Sequence, residues 1–118
     1  MKSNMSRDYR VYLEDILEAI ALIEEYTHGV AFEPFAQDRM RLDAVISNLE
    51  IVGEAAKQVP EPVRRLNPAI EWRKISGLRD ILIHHYFDIS KEIVWDVVQN
   101  KLPILREQIR VLLQETTS

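Results

Sequence analysis

Apolar residues recur along the chain at intervals of three and four, the period of an amphipathic α-helix. The first stripe predicts a helix from about Asp8 to Tyr26, and its apolar face carries Leu13, Ile16, Leu17, Ile20 and Ile23. Residues 27–29 supply its stop, because Gly29 can adopt the left-handed conformation that ends many helices. The stretch from Val30 to Gln37 contains Pro34 and is predicted to be a loop.

A second helix is predicted from about Asp38 to Val59. Its apolar stripe consists of Leu42, Val45, Ile46, Leu49, Val52, Ala56 and Val59. Its other face carries Asp43, Ser47, Glu50, Glu54 and Gln58, which we interpret as a solvated surface. Gly53 lies inside this helix, where it costs about 1 kcal/mol relative to alanine. A close approach of another helix is one reason to tolerate it.

Prolines divide the rest of the chain into three more segments. Residues 60–66 can hold one short helical turn, since proline is compatible with the first helical positions. A long helix is predicted from about Glu71 to His85, and the last from Ser90, a suitable N-cap, to about Gln114. Pro103 predicts a kink near Lys101–Leu102. The pattern therefore predicts an all-α, antiparallel four-helix up-and-down bundle with a short extra helix, forming one domain over residues 1–118.

Composition narrows the functional classes. The 118 residues are 47% hydrophobic and 29% charged, as in one soluble globular domain. The absence of cysteine excludes disulfide scaffolds, thiolate metal sites and cysteine nucleophiles. No glycine-rich phosphate loop, membrane-length apolar run or signal-peptide pattern occurs, so we expect a cytoplasmic protein. The net charge of −4 argues against a protein that coats DNA and requires any nucleic-acid contact to be local.

One stretch, residues 77–87, is chemically dense because it holds an arginine, two histidines and a tyrosine. On an ideal helix Arg79 and Tyr86 lie about 20° apart, whereas His84 lies about 140° from Arg79. Either the helix end distorts at His84 or a second subunit completes a site. His85 shares the flank of Ile75, Leu78 and Leu82, so we predict that it packs partly buried against the core.

Arg79, His84 and Tyr86 form an R-x4-H-x-Y pattern that resembles the HepT-like toxins of the HEPN superfamily. The segments 48–56, 71–79 and 93–105 resemble that family's second helix, the lead-in to its motif and its last helix. The similarity extends from the first helix to about Leu113. The resemblance therefore includes nearly the whole chain.

This resemblance implies a homodimeric, metal-independent RNase that needs no cofactor and whose two copies of the motif line one cleft. It also implies the toxin of a type VII pair whose antitoxin, an MntA-type nucleotidyltransferase, transfers AMP to Tyr86. By position, Arg79 and His84 are the catalytic candidates. Histidine exchanges protons at neutral pH, and arginine binds two phosphate oxygens, so we assign His84 as acid or base and Arg79 as the phosphate clamp. RNA is the expected substrate, and no membrane or DNA partner is expected.

Other residues remain open at this stage. Asp80 is either a solvated helix residue or a group that orients a histidine, and Glu54 either pairs with Arg79 or stays a surface carboxylate. The two tryptophans are expected in the core or an interface. Four cations are either solvated or form a basic rim that attracts RNA: Arg64, Arg65, Arg73 and Lys74. Adjacent histidines are poorly spaced for one ion, so no metal site is expected. The competing function is a non-catalytic helical module that binds a nucleotide or partner beside a nucleotidyltransferase.

Overall fold

The computed structural model describes residues 8–117. The predicted absence of a signal peptide rests on the first ten residues, of which residues 1–7 lie outside the described part. The four long helices are α1 (Tyr9–Thr27), α3 (Arg39–Gln58), α5 (Trp72–His84) and α7 (Leu102–Thr117). Three short helices join them, α2 (Phe32–Gln37), α4 (Glu61–Leu66) and α6 (Lys91–Asp96). This arrangement confirms the predicted all-α bundle.

Side-chain caps explain where the first two long helices begin. Asp8 accepts a hydrogen bond from the backbone N–H of Arg10 at 3.0 Å, and Asp38 accepts one from that of Arg41 at 3.1 Å. Each carboxylate satisfies an N–H that has no partner within the helix. Gly29 has a φ of 73°, the left-handed conformation predicted after α1. The predicted bounds of these helices are correct to within one residue.

Helix α3 is central, because α1 packs against one of its sides and α5 against another, while α7 packs against α1. The predicted stripes of α1 and α3 lie in the core. Trp72 is buried and donates its indole N–H to the carbonyl of Asn67 at 3.0 Å, and Trp95 packs partly buried against the core. The placement of both tryptophans is thus confirmed.

The predicted loop over residues 30–37 is wrong, since α2 lies there. Pro34 is the third residue of this helix, where its missing N–H would have no intrahelical partner in any case. Phe35 is fully buried and packs against Trp95 with ring centroids 4.8 Å apart and ring planes tilted by 41°. Phe35 therefore anchors this short helix to the core.

The interruption predicted in the last helix is present as a π-helical segment, Val97–Lys101, between α6 and α7. Proline at position 103 cannot donate to the carbonyl four residues earlier, and its ring clashes with that carbonyl. Widening the preceding turn avoids this clash, and the N–H of Leu102 instead bonds to the carbonyl of Val97. Ser90 caps the start of α6 through the backbone N–H of Ile93, as predicted.

Candidate active site

Gly53 lets α5 approach α3 closely at the level of Arg79. A Cβ atom on Gly53 would lie 2.9 Å from Cβ of Arg79 and 3.0 Å from both the Arg79 nitrogen and the Ile75 carbonyl oxygen. These distances are shorter than ordinary van der Waals contact. The close helix approach suggested by this glycine is confirmed, and it brings Arg79 directly over α3.

Arg79 is held by two carboxylates. Its Nε lies 3.0 Å from Oε1 of Glu54, and its Nη1 lies 3.3 Å from Oδ1 of Asp80. Gln58 donates to the other Glu54 oxygen at 3.1 Å, which fixes the orientation of that carboxylate. Glu54 is thus the partner of Arg79 across the bundle. Because a guanidinium carries five N–H donors, Arg79 retains donors that can bind a further anion.

His84 is the last residue of α5 and has one ring nitrogen engaged. Its Nδ1 lies 2.8 Å from the carbonyl oxygen of Asp80, one turn earlier. A carbonyl oxygen can only accept, so Nδ1 carries the proton and neutral His84 presents Nε2 as an exposed acceptor. Asp80 therefore orients His84 through its backbone, whereas its carboxylate binds Arg79.

The prediction that His85 packs into the core is wrong. Helix α5 ends at His84, and His85 has φ −123° and ψ 29°, so the helical period no longer places it on the flank of Leu82. Its side chain is 62% exposed, and its Nδ1 lies 4.0 Å from the Asp88 carboxylate. Both histidines are therefore accessible in this chain.

Tyr86 turns away from Arg79 and toward α3. It lies in a 3₁₀ turn, Tyr86–Asp88, so the 20° offset expected from a continuous helix does not apply. Its hydroxyl donates to the carboxylate of Asp43 and accepts from Nη2 and Nε of Arg39 at 3.0 and 3.3 Å. The expectation that Tyr86 lies close to Arg79 is therefore wrong.

Arg39 is the cation at the tyrosine end of the site. Its guanidinium lies 5.5 Å from the centre of the Tyr86 ring, and its Nε lies 3.2 Å from Asp43. The contact with the Tyr86 hydroxyl contributes most to raising the pKa of Arg39, and the nearby carboxylate of Asp43 raises it further. Arg39 consequently stays a fixed positive charge beside the phenol.

The polar face of α3 contacts both the first and the last residue of the motif, Arg79 and Tyr86. Asp43 and Glu54 lie three turns apart on the same side of the helix, about 16 Å along its axis. Glu54 binds Arg79 and Asp43 binds Tyr86, although this face was interpreted as a solvated surface. Asp43 could have been found from the sequence because it lies three helical turns before Glu54 and therefore on the same side of α3. Arg39 adds a cation one turn earlier.

The four cations of the expected basic rim do not form a uniform charged surface. Arg65 lies 3.2 Å from Glu61, and Lys74 lies 3.5 Å from Glu71, so carboxylates offset two of the charges. Arg64 is partly buried. The expected rim is therefore partly neutralised by neighbouring carboxylates.

Within residues 8–117, no group of three or more histidine, aspartate or glutamate side chains is close enough to hold a metal ion. Among the same residues, no helix is long and apolar enough to cross a membrane.

Comparisons with known proteins identify relatives over most of the chain. The family model described as "Ribonuclease HepT-like" matches residues 16–112. A probable ribonuclease HepT of Thermococcus cleftensis is 44% identical over 108 residues, which cover 92% of this chain and 98% of the relative. A putative RNase of Methanocaldococcus jannaschii is 40% identical over 92% of this chain and 90% of its own length. A putative RNase of Caldanaerobacter subterraneus is 37% identical over 90% and 95%, respectively. No solved structure matches the chain.

Proposed function

Because this chain belongs to the HepT-like ribonuclease family, we propose that it is a metal-independent endoribonuclease and the toxin of a type VII toxin–antitoxin pair. One observation carries the proposal. Arg79 is anchored by Glu54 with donors to spare, and His84, on the same helix, is fixed with Nε2 exposed as an acceptor. A cation and a proton acceptor are the two groups that RNA cleavage by its own 2′-hydroxyl requires.

The chemistry follows from these two groups. Nε2 of one His84 takes the proton of the ribose 2′-hydroxyl as that oxygen attacks the adjacent phosphorus. The O2′–P bond forms, the P–O5′ bond breaks, and a protonated His84 returns a proton to O5′. Arg79 binds the non-bridging oxygens, whose negative charge increases in the transition state. The products are a 2′,3′-cyclic phosphate and a free 5′-hydroxyl.

A homodimer supplies the acid and the base together. Helix α5 remains regular through His84, so Arg79 and His84 of one chain point about 140° apart. Exposed apolar side chains surround the end of α5, where Ile81 and Ile83 are about half exposed on different sides of the helix and Phe87 is 94% exposed. A second copy that packs by two-fold symmetry against part of this apolar surface would bring Arg79 of one chain toward His84 of the other. We therefore include a composite dimer site in the proposal.

Tyr86 is the proposed regulatory residue. An MntA-type nucleotidyltransferase would transfer AMP to its hydroxyl and so neutralise the toxin. The phenol is partly exposed, and it follows His84 by two residues, so an attached nucleotide extends over the edge of the cleft. The bulk and negative charge of the nucleotide then oppose RNA binding.

A cleavage assay on a defined RNA panel tests the function. Arg79→Ala and His84→Ala are each expected to lower the cleavage rate by about 100-fold or more, since each removes one catalytic contribution. His28→Ala and Arg110→Ala remove an exposed histidine and an exposed arginine elsewhere, and both should cleave normally. EDTA should leave the rate unchanged. If the wild-type chain cleaves no RNA and its expression does not arrest growth, the non-catalytic binding module replaces this proposal.

A further inference from the structure

The Tyr86 hydroxyl lies in an environment that RNA cleavage as proposed does not use. It donates to the carboxylate of Asp43 and accepts from two nitrogens of Arg39, at 3.0 and 3.3 Å. Both partners come from the first turns of α3 and are about half exposed or more, with side-chain exposures of 46% for Asp43 and 67% for Arg39. A base and a cation thus meet at the phenol oxygen of a partly exposed tyrosine.

We propose that Asp43 is the general base, and Arg39 the phosphate-binding group, for nucleotidyl transfer to Tyr86. This inference rests on the proposed function and assigns the acceptor chain a catalytic part in its own modification. The Tyr86 oxygen attacks the α-phosphorus of a nucleoside triphosphate held by the partner enzyme. The O–Pα bond forms, the bond from Pα to the bridging oxygen breaks, pyrophosphate leaves, and the phenol proton passes to Asp43.

Asp43 meets the geometric requirement for this role. Phenols are almost fully protonated at neutral pH, so attack on phosphorus needs a proton acceptor within hydrogen-bond reach. The carboxylate of Asp43 already accepts the proton that must leave. Asp88, two residues after Tyr86, is exposed and lies near His85 instead, so proximity in sequence does not give it the same contact.

Arg39 meets the requirement for the phosphate. A phosphoryl group on the phenol oxygen must lie next to the guanidinium, because two of its nitrogens already contact that oxygen. Charge-assisted bonds from arginine to phosphate oxygens are among the stronger hydrogen bonds in proteins. Beside this contact lies a cavity of about 190 Å³, lined by Arg39, Lys91, Phe87 and four more residues. It provides a second cation and an apolar wall next to the attached nucleotide.

The first test measures the initial rate of transfer from ATP. The purified chain is mixed with the MntA-type nucleotidyltransferase that the proposed function assigns as its partner, and intact mass and peptide analysis follow Tyr86 over time. Asp43→Asn should slow the transfer by about 100-fold, the size of a general-base contribution. Asp43→Glu should recover part of the rate because it restores a carboxylate, and Asp88→Asn should match the wild type. Circular dichroism verifies that each variant is folded.

The outcomes separate this inference from the proposed function. If wild type and Asp43→Asn are modified at equal rates, Asp43 is not the base, and nucleotidylation of Tyr86 stands. If the partner silences the wild type and leaves Tyr86 unmodified, the proposed nucleotidylation of Tyr86 is refuted, and this inference is refuted with it. If Asp43→Glu is as slow as Asp43→Asn while both stay folded, the base assignment is also overturned.

A second test needs no partner protein. An arylsulfonyl fluoride reacts with tyrosine oxygen by the same exchange, with an O–S bond formed, fluoride released and the phenol proton given up. Peptide analysis compares Tyr86 with the other three tyrosines, Tyr9, Tyr12 and Tyr26. Tyr86 should label about 10-fold faster than these in the wild type and in Asp88→Asn, and this advantage should disappear in Asp43→Asn. Equal labelling of Tyr86 in all three proteins would refute the role of Asp43.

Discussion

Gly53→Ala tests whether the close contact of α3 and α5 is what positions the site. The new Cβ would lie 2.9 Å from Cβ of Arg79 and 3.0 Å from two backbone atoms of α5, whereas ordinary contact begins at 3.4 Å. Backbone and Cβ atoms cannot rotate away, so α5 must retreat from α3 by about 0.5 Å, the difference between these distances. Arg79 then moves away from Glu54, which sits beside the substituted position.

The magnitude follows from two opposing effects. Alanine is favoured over glycine inside a helix by about 1 kcal/mol. Overpacking a close contact costs about 1–3 kcal/mol. We therefore expect Gly53→Ala to lower the free energy of unfolding by about 0–2 kcal/mol and to lower RNA cleavage about 10-fold or more, since displacement of a positioned group by a fraction of an ångström weakens catalysis strongly.

Gly77→Ala is the matched control. Gly77 lies in α5, and a Cβ atom there would meet nothing within 4 Å. This variant should gain about 0.5–1 kcal/mol of stability from helix propensity alone and keep its activity. Urea denaturation of both variants isolates the packing cost as the difference between them, about 1–3 kcal/mol. Equal stability of the two variants, together with full cleavage by Gly53→Ala, would refute the argument that this contact positions Arg79.

Three further substitutions test separate parts of the structure. Glu54→Gln removes the anion that holds Arg79 and should lower the cleavage rate about 5-fold or more. The melting temperature should change little, because exposed ion pairs contribute about 0–1 kcal/mol. An unchanged cleavage rate would mean that Glu54 does not position Arg79. His85→Ala should change the free energy of unfolding by less than about 0.5 kcal/mol, as is usual for an exposed residue; a loss above about 1 kcal/mol in urea would restore the packing interpretation. Phe35→Ala should cost about 3–5 kcal/mol in the same measurement, as expected for a fully buried phenylalanine; a cost below about 1 kcal/mol would show that α2 is not part of the core.

The site could be predicted from sequence only in part. The resemblance named Arg79, His84 and Tyr86 as candidates, which remain predictions, whereas the close helix contact indicated by the glycine at position 53 is present in the structure. Extending the helical period beyond His84 produced two errors. It placed His85 in the core, and it placed Tyr86 next to Arg79. The angular arithmetic holds only while the backbone stays helical, and α5 ends at His84. The anion that receives the Tyr86 hydroxyl was missed because Asp43 lies 43 positions away along the chain.

The sequence by itself determined the positions of the long helices, the residues at which α1 and α3 begin, and the buried faces of these two helices. These properties depend on local periodicity and on hydrogen bonds between residues a few positions apart, so short stretches of the sequence are enough to predict them. Only the tertiary structure decided that the proline-containing segment at Phe35 packs into the core as a helix. It also decided that Glu54 contacts Arg79 and that Asp43 contacts Tyr86. Those outcomes depend on which helix faces meet. The sum of many packing contacts over the whole bundle decides that pairing, and no local stretch of sequence encodes it.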